Sequence, residues 1–304
     1  MYFSGFADEV SADIHQQIKA TKELGWSNIE SRVMGSGNIH NIPDEEFEKY
    51  AEILNAEGIQ VNCFGSTVAN WAKDPMSEED FQTSIQELER ALKRMHVLGT
   101  KMIRAMSFKM PVESVNNLEV IEDQVFKKVK YLVSMCENAG ITYVHENCMN
   151  YGGMSYEHTL KLIEAIDSPN FKLAFDTGNP VNTPDFSKED PFAQRQNSFE
   201  FYTNVKNHIG YIHIKDSMFI RDVPGQLFPK IHHTFPGEGD GFVNEILTDL
   251  LLNGYDDGIS IEPHMGAVFH EEENASDDEK KYQTYVEYGR RLMNIVKAIK
   301  PTAF

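Results

Sequence analysis

The chain has 304 residues, 41% of them hydrophobic, which is enough to bury one large core within a single domain. Lys and Arg number 28 and Asp and Glu number 47, so the formal net charge is −19. A charge of this sign and size repels phosphate backbones and anionic membrane surfaces, which argues against nucleic acid and membranes as partners.

The first residues and the cysteines indicate the compartment. The segment MYFSGFADEV has no basic region followed by an apolar one, and no later stretch approaches the roughly 18 apolar residues of a membrane span. Cys63, Cys136 and Cys148 are widely spaced and odd in number, which favours reduced thiols over disulfides or a cysteine-rich zinc site. We therefore expect a soluble cytoplasmic protein.

Eight short β-rich segments alternate with longer helical patterns along the chain. In order they are MYFSGF (1–6), SNIESR (27–32), IQVNCFG (59–65), KMIRAMSF (101–108), ITYVHEN (141–147), FKLAFD (171–176), YIHIKD (211–216) and GISIEPH (258–264). In one intervening stretch, apolar residues recur every three or four positions, on one helical face. They are Leu118, Ile121, Val125, Val129, Leu132, Val133 and Cys136.

Glycines end several of the predicted helices just before the next strand, in the segments KELGW, NAEGI, HVLGTK, ENAGI and LLNGYDDGI. Eight such units without a Pro-, Gly- or Ser-rich linker predict an α/β fold in which residues 1–304 form one (β/α)8 TIM barrel. By pattern alone a doubly wound sheet remains open. Residues 217–242 and 265–280 exceed ordinary loop lengths, and we predict that they cover the substrate at the barrel mouth.

Acidic or imidazole side chains occur at the ends of predicted strands five to eight: Glu146, Asp176, His213 and Glu262. Barrel chemistry collects at the carboxyl ends of strands, so these side chains are expected to meet. Three carboxylates and one imidazole suit a single divalent ion, with Mn²⁺ favoured and Mg²⁺, Co²⁺ or Zn²⁺ as alternatives.

Each of these residues also has a structural interpretation. Asp176 could cap the turn that follows it, and His213 could be a satisfied core imidazole. Glu146 and Glu262 could pair with Arg32, Arg104 or Lys215. Three carboxylates around one rim repel each other unless a cation lies among them, so the cluster is better evidence than any member.

Two other polar segments are assigned little chemistry. His232 and His233 are adjacent in a predicted loop, so we expect them to be mostly at the surface with at most one substrate contact. The acidic run HEEENASDDEK (270–280) is expected to be a solvated helix start. The sequence has no dinucleotide fingerprint, Walker loop, nucleophile elbow or H-E-x-x-H helix, which disfavours nicotinamide and nucleotide chemistry.

The sequence resembles the sugar isomerase/epimerase superfamily with a xylose-isomerase-like barrel. The resemblance is carried by HEN at Glu146, FDTGN at Asp176, HIKD at His213 and the segment PGEGDGFVNEILTDLLLNGYDDGISIEPH (236–264). It implies that Glu146, Asp176, His213 and Glu262 are the metal ligands. Many free-ketose epimerases of this superfamily have His three residues after the metal-binding Asp, where this chain has Asn179. That form resembles the pentulose-phosphate 3-epimerases, although no phosphate cradle is recognisable, so phosphorylation of the substrate stays open.

The resemblance implies a mechanism that moves a proton next to a carbonyl through a cis-enediolate. The metal would stabilise the charge on the enediolate oxygen, with Glu146 and Glu262 as base and acid on opposite faces. Lys215 and Asp216 are expected to orient the ligands. Candidate substrate-binding residues are Arg32, Arg104, Asn147, Asn179, Lys215 and His264.

We therefore predict a metal-dependent sugar or sugar-phosphate isomerase/epimerase of carbohydrate metabolism, for which both a monomer and a homo-oligomer remain open. An inosose-type dehydratase on the same barrel is the main alternative. An endonuclease IV-like DNA-repair enzyme would need more metal-binding histidines and a cationic groove, which the charge of −19 disfavours. A non-catalytic sugar-binding barrel is the third alternative.

Overall fold

Eight parallel strands form the sheet that organises this protein. The computed structural model describes residues 1–112, 118–265 and 278–301. In sheet order the strands are β1 (Tyr2–Gly5), β12 (Gly258–Ile261), β9 (Ile209–Ile214), β8 (Phe171–Asp176), β7 (Thr142–Glu146), β6 (Met102–Ala105), β5 (Gln60–Gly65) and β2 (Asn28–Ser31). A parallel bridge between Phe6 and Glu30 joins the two edges. The predicted (β/α)8 barrel and its eight strands are confirmed.

Helices surround the sheet. They are α1 (Ile14–Glu23), α2 (Asp44–Glu57), α3 (Glu78–Leu98), α4 (Leu118–Asn138), α5 (Tyr156–Ile166), α6 (Ser198–Val205), α7 (Val243–Leu252) and α8 (Asp278–Ile299). The predicted apolar face of α4 is buried from Ile121 to Cys136, whereas Leu118 at its start is only half-buried. Within the described ranges, no helix is long and apolar enough to cross a membrane.

The helix boundaries follow local chemistry. Asp13 and Ser77 precede α1 and α3, and their side chains accept hydrogen bonds from backbone N–H groups of the first turn. Gly58 and Gly99, predicted as stop signals, end α2 and α3 with φ of 68° and 72°. Only glycine adopts this left-handed conformation without strain, so the chain turns there into the next strand.

The segment after β9 is not the plain loop that its length predicted. It contains an antiparallel hairpin of β10 (Asp216–Arg221) and β11 (Lys230–Thr234). Apolar and β-branched residues on both arms allow this pairing. Two short strands, β3 (Val33–Met34) and β4 (Gly37–Asn38), form another hairpin that the sequence did not predict. Of the second predicted covering segment, residues 266–277 lie outside the described residues.

One buried carboxylate anchors the glycine-rich segment that follows the hairpin. Asp216 Oδ1 accepts hydrogen bonds from the backbone N–H of Ser217 and Gly241, both at 2.9 Å. Its Oδ2 accepts from Gly237 N at 2.8 Å and Gly239 N at 3.0 Å. A Cβ at position 239 would come within 2.4 Å of Asp216 Oδ1, so only glycine lets the backbone approach this closely.

The two neighbouring histidines of β11 have different environments, contrary to the prediction that both lie mostly at the surface. His232 is exposed, but His233 is buried. Ser217 Oγ lies 2.9 Å from His233 Nδ1. The His233 ring packs edge-on against the ring of His264, with 5.3 Å between the ring centroids. Alternation along a strand explains the difference, because successive side chains point to opposite faces.

His40 should make folding stability depend on pH. It is fully buried, and burial together with the cations Lys73, Arg90 and Arg94 lowers the pKa of His40 to about 3. In the unfolded chain the pKa is about 6.5, so the unfolded state binds the proton first and stability falls as pH drops below that value. We expect a loss of about 1 kcal/mol from this residue between about pH 8 and about pH 5.8.

The measurement is the free energy of unfolding in urea at both pH values for wild type, His40→Gln and, as a control, His15→Gln at an exposed position. The pH-dependent difference should shrink by about 1 kcal/mol in His40→Gln alone. Equal pH dependence in all three proteins would contradict the assignment.

Candidate metal centre

Four side chains from adjacent strands converge inside the carboxyl end of the barrel. Glu146 and Asp176 are the last residues of β7 and β8, His213 lies near the end of β9, and Glu262 follows β12. All four are buried, and one ligand atom from each lies within 4.8 Å of all the others. The sequence prediction that these residues meet is thus realised in the geometry.

The register of the sheet explains the convergence. Asp176 lies opposite His213, and Glu146 lies opposite Ala174, two residues before Asp176. Ser260 lies opposite His213, two residues before Glu262. Residues two apart on a strand share a face, so all four side chains point to the barrel interior.

Asp176 combines the two roles that its sequence context suggested. Its Oδ1 accepts hydrogen bonds from the backbone N–H of Gly178 at 2.9 Å and Asn179 at 2.7 Å, which is a capped turn. Its Oδ2 has no hydrogen-bond partner and lies 3.1 Å from Lys215 Nζ. Burial raises the pKa of Asp176 to about 6, although Lys215 opposes this shift. The turn therefore leaves one carboxylate oxygen for a ligand.

Asn147 supports Asp176 from behind. Its side-chain oxygen accepts a hydrogen bond from Asp176 N at 2.7 Å, and its side-chain nitrogen donates to Asp176 O at 3.0 Å. Both ends of this amide are thereby used on the backbone of β8. The structure gives Asn147 a positioning contact in place of the cavity wall that the sequence predicted for it.

His213 is oriented by a carboxylate that sequence reasoning missed. Its Nε2 lies 3.0 Å from Oε2 of Glu30, a fully buried residue of β2 that also accepts a hydrogen bond from Ser260 Oγ at 2.7 Å. Its Nδ1 has no hydrogen-bond partner and lies 3.6 Å from Glu146 Oε1. Burial lowers the pKa of His213, but Glu30 outweighs it and the pKa rises to about 10. A carboxylate behind the imidazole is the usual support of a metal-binding histidine.

Three cationic side chains balance the carboxylates, as the ion-pair interpretation predicted. Arg104 Nε lies 3.3 Å from Glu146 Oε2. Glu262 receives Arg32 Nη1 on Oε1 and Lys215 Nζ on Oε2, both at 2.9 Å. The charge argument for a metal is therefore weaker than the sequence suggested, because protein cations already offset part of the repulsion.

These cations keep both glutamates ionised. Burial would raise the pKa of Glu146, but Arg104 and His213 lower it to about 2. Burial has the same sign at Glu262, where Lys215, His264 and Arg32 hold the pKa well below its usual range. Both side chains are carboxylates at neutral pH.

The donor set fits a hard or borderline divalent cation. Buried polar atoms normally have hydrogen-bond partners, yet His213 Nδ1 has none and Asp176 Oδ2 has only the ion pair with Lys215. Both atoms converge with Glu146 and Glu262. Three carboxylates and one imidazole without a thiolate match the preferences of Mn²⁺, Mg²⁺, Co²⁺ or Zn²⁺.

A cavity of about 410 Å³ opens onto the cluster. It is lined by both glutamates and by five of the six residues predicted to bind substrate: Arg32, Arg104, Asn179, Lys215 and His264. Ser66, Thr67 and Asn70, which sequence reasoning did not select, also line it. Their polar side chains directly after β5 were a usable signal, because residues following barrel strands surround the active site.

His264 is fixed by a further buried acid. Its backbone N–H donates to Glu9 Oε2 at 2.7 Å, and its Nδ1 lies 2.9 Å from Glu9 Oε1. Its Nε2 lies 3.7 Å from Glu262 Oε1. The φ of 57° at His264 is unusual for a residue with a side chain, and Glu9 holds it in place.

A known family of proteins shares this barrel fold. The family model described as xylose isomerase-like TIM barrel matches residues 18–288. The chain belongs to this family. No curated protein sequence matches the chain.

Solved structures with the same fold include three from different functional groups. A D-tagatose 3-epimerase-like protein is 19% identical, with a TM-score of 0.72 and 100% of both chains covered. The IolI protein with a bound zinc atom is 17% identical, with a TM-score of 0.70 and coverage of 98% of this chain and 99% of that one. The probable 3-DHS dehydratase AsbF from Bacillus anthracis is 14% identical, with a TM-score of 0.67 and coverage of 97% and 99%. At these identities the likeness establishes the fold alone.

Proposed function

We propose that this protein is a divalent-metal-dependent sugar isomerase or epimerase that moves a proton next to a carbonyl. The observation that carries the proposal is that two of the four clustered side chains line the cavity and the other two do not. Glu146 and Glu262 come from the outer strands of the β12–β9–β8–β7 arc and line the cavity, whereas Asp176 and His213 lie between them and do not. Two carboxylates thus flank the space where a substrate would bind.

Glu146, Asp176, His213 and Glu262 would hold the metal, for which we favour Mn²⁺ and consider Zn²⁺, Mg²⁺ and Co²⁺ as alternatives. When bound, a divalent cation polarises a carbonyl and acidifies the neighbouring carbon-bound proton. Fold likeness to an epimerase-like protein and to a zinc-binding protein supports this choice of chemistry. His213 reaches the cluster through Nδ1, because Glu30 occupies Nε2.

Glu146 and Glu262 are suited to act as the proton-transfer pair. Each is ionised by its cationic neighbours, so in the resting protein neither holds a proton to deliver. Asn179 Nδ2 lies 3.3 Å from Glu146 Oε1, and Arg32 and Lys215 hold both oxygens of Glu262. One glutamate removes the carbon-bound proton, and the other delivers to the opposite face a proton that it has taken from solvent. The first glutamate then releases the abstracted proton to solvent, so both are carboxylates again.

The substrate is proposed to be a small sugar without a phosphate group. Arg32, Arg104 and Lys215 are the cations that line the cavity, and each contacts a carboxylate. A phosphate would have to compete with those carboxylates for the same side chains. Hydroxyl groups can accept hydrogen bonds from them without breaking the ion pairs.

A dehydratase acting on a cyclic polyol is the second candidate. It would share the proton abstraction and then need an acid for the departing hydroxyl group. His264 lines the cavity and its Nε2 lies 3.7 Å from Glu262 Oε1, which places an imidazole where such an acid is required. The fold likeness to a dehydratase is in keeping with this alternative.

Solvent deuterium exchange tests the proposal and separates the two candidates. The purified protein, supplied with Mn²⁺, is incubated with ketoses and with inososes in deuterated water and followed by nuclear magnetic resonance. We expect deuterium at one carbon next to the carbonyl together with an epimer or isomer. Loss of water from an inosose would favour the dehydratase, and the absence of exchange in every substrate would contradict both.

A further inference from the structure

A second cavity adjoins the catalytic one. Its volume is about 420 Å³, equal in scale to the catalytic cavity of about 410 Å³, and the two share Trp71 and Met149 in their walls. Its other walls are largely apolar and include Met76, Met110 and Phe228. A group bound in the second cavity would therefore be continuous with a substrate at the two catalytic glutamates.

Part of the apolar wall is accessible to solvent. Trp71 is 43% exposed and Met76 is 52% exposed, although both are large hydrophobic side chains. Exposed apolar surface beside a catalytic cavity indicates a binding site, because an apolar group that covers this surface removes it from water and thereby lowers the free energy. Met76, Met110 and Met149 have flexible thioether side chains, which adapt to apolar groups of different shapes.

The hairpin after β9 contributes to this second cavity. Leu227 and Phe228 lie in the connection between β10 and β11 and line it. The base of the hairpin is attached to the barrel by backbone hydrogen bonds to Asp216, and the connection that carries these two side chains extends from this base.

We propose that the substrate is a sugar that carries an apolar substituent, seated in the second cavity while its carbonyl lies between Glu146 and Glu262. This inference rests on the proposed isomerase or epimerase function. A free ketose has an oxygen on every carbon, and burying its hydroxyl groups against Trp71, Met76 and Phe228 would leave them without hydrogen bonds. An aromatic or aliphatic group linked to the sugar matches the walls.

The experiment compares D-fructose with 6-O-benzyl- and 1-O-benzyl-D-fructose as probes. The two ethers carry the benzyl group at opposite ends of the sugar, so one of them can place it in the second cavity whichever way the sugar is oriented. Conversion is followed by nuclear magnetic resonance, and binding is measured separately by calorimetry. The test variant is Phe228→Ser, which lies outside the catalytic cluster. The matched control is Phe192→Ser, an aromatic residue that is 50% exposed and is not in either cavity wall.

We expect one benzyl ether to have a kcat/KM at least about 10-fold above that of D-fructose, as burial of an aromatic ring predicts. Phe228→Ser should remove about 10-fold of this preference and leave D-fructose unchanged. Phe192→Ser should change neither. Equal kcat/KM for benzylated and free ketose in wild type, or an equal fall for both in Phe228→Ser, would overturn the inference.

Two further outcomes distinguish failure of the apolar-subsite inference from failure of the proposed isomerase or epimerase function. Calorimetric binding of a benzyl ether that depends on Phe228, without conversion of any ketose, would support the apolar subsite and overturn the proposed function. If sedimentation shows a wild-type dimer that Phe228→Ser dissociates, and no probe is preferred, a second copy of the chain covers the cavity and the inference is overturned.

Discussion

Glu262→Gln is expected to lower ketose epimerisation by about 10²- to 10⁴-fold, the usual contribution of a positioned acid or base. Glutamine has the shape of glutamate but cannot take or return a proton. Glu146→Gln should cause a loss of the same order. Because each glutamate serves one face of the substrate, each variant should still exchange the carbon-bound proton of one epimer with solvent while failing to convert it.

The measurement is epimer formation and deuterium uptake from each epimer separately, with saturating metal and with metal content determined on the same samples. Glu287→Gln is the control, because that glutamate is half-buried, pairs with Arg291 on α8 and does not line the cavity. Full activity of Glu262→Gln with metal bound would remove this residue from the proton-transfer pair.

Asp176→Asn is expected to weaken metal binding by at least about 100-fold. Substituting a residue that only orients a metal ligand is expected to weaken binding less. Asparagine can keep one oxygen facing Gly178 N and Asn179 N, so the turn is preserved. The atom that replaces Oδ2 cannot bind a cation as a carboxylate oxygen does, and it lies beside Lys215 Nζ. The loss should therefore be specific to the metal.

Metal per chain is measured by mass spectrometry after dialysis, and affinity by calorimetry with Mn²⁺ and Zn²⁺. Glu30→Gln should weaken binding by about 10- to 100-fold, because Glu30 only orients His213. Asp185→Asn is the matched control, a buried aspartate whose side chain accepts from Ser187. Wild-type affinity in Asp176→Asn would exclude Asp176 as a ligand.

The sequence was most informative where local and global signals agree. The run FKLAFD is a strand from Phe171 to Asp176, with the predicted bounds. Its apolar residues are stable only when they are buried in the core. Four polar strand ends were predicted to meet, and the barrel brings them within 4.8 Å. Strand order in a barrel follows chain order, so this convergence needs no knowledge of individual contacts.

The contacts behind the cluster could not be predicted in the same way. Glu30 and His213 are 183 positions apart in the sequence. They meet only because the closed barrel brings the side chains of β2 and β9 together in its interior. Asn147 was predicted to face substrate because it follows a strand end, yet its amide is satisfied by Asp176. Which polar groups pair with each other depends on ångström-scale positions that periodicity does not determine.

The hairpin after β9 illustrates the opposite limitation. Length alone predicted a covering loop, but β10 and β11 pair because of residues on both arms that are 9 to 18 positions apart. The glycines after β11 bring backbone N–H groups to Asp216, a contact that the sequence did not predict. A glycine-rich sequence is therefore compatible with a firmly attached segment.

The anchor at Asp216 has a consequence for how new specificities can arise. Its carboxylate recognises main-chain N–H groups at positions 217, 237, 239 and 241, and these do not change when side chains between them are exchanged. Residues 218–232 can thus be replaced as a cassette while both ends of the insert stay fixed beside the strand that bears His213, provided that His233 keeps its packing against His264. Selection or engineering can vary what the cavity accepts without moving the four side chains of the proposed metal centre.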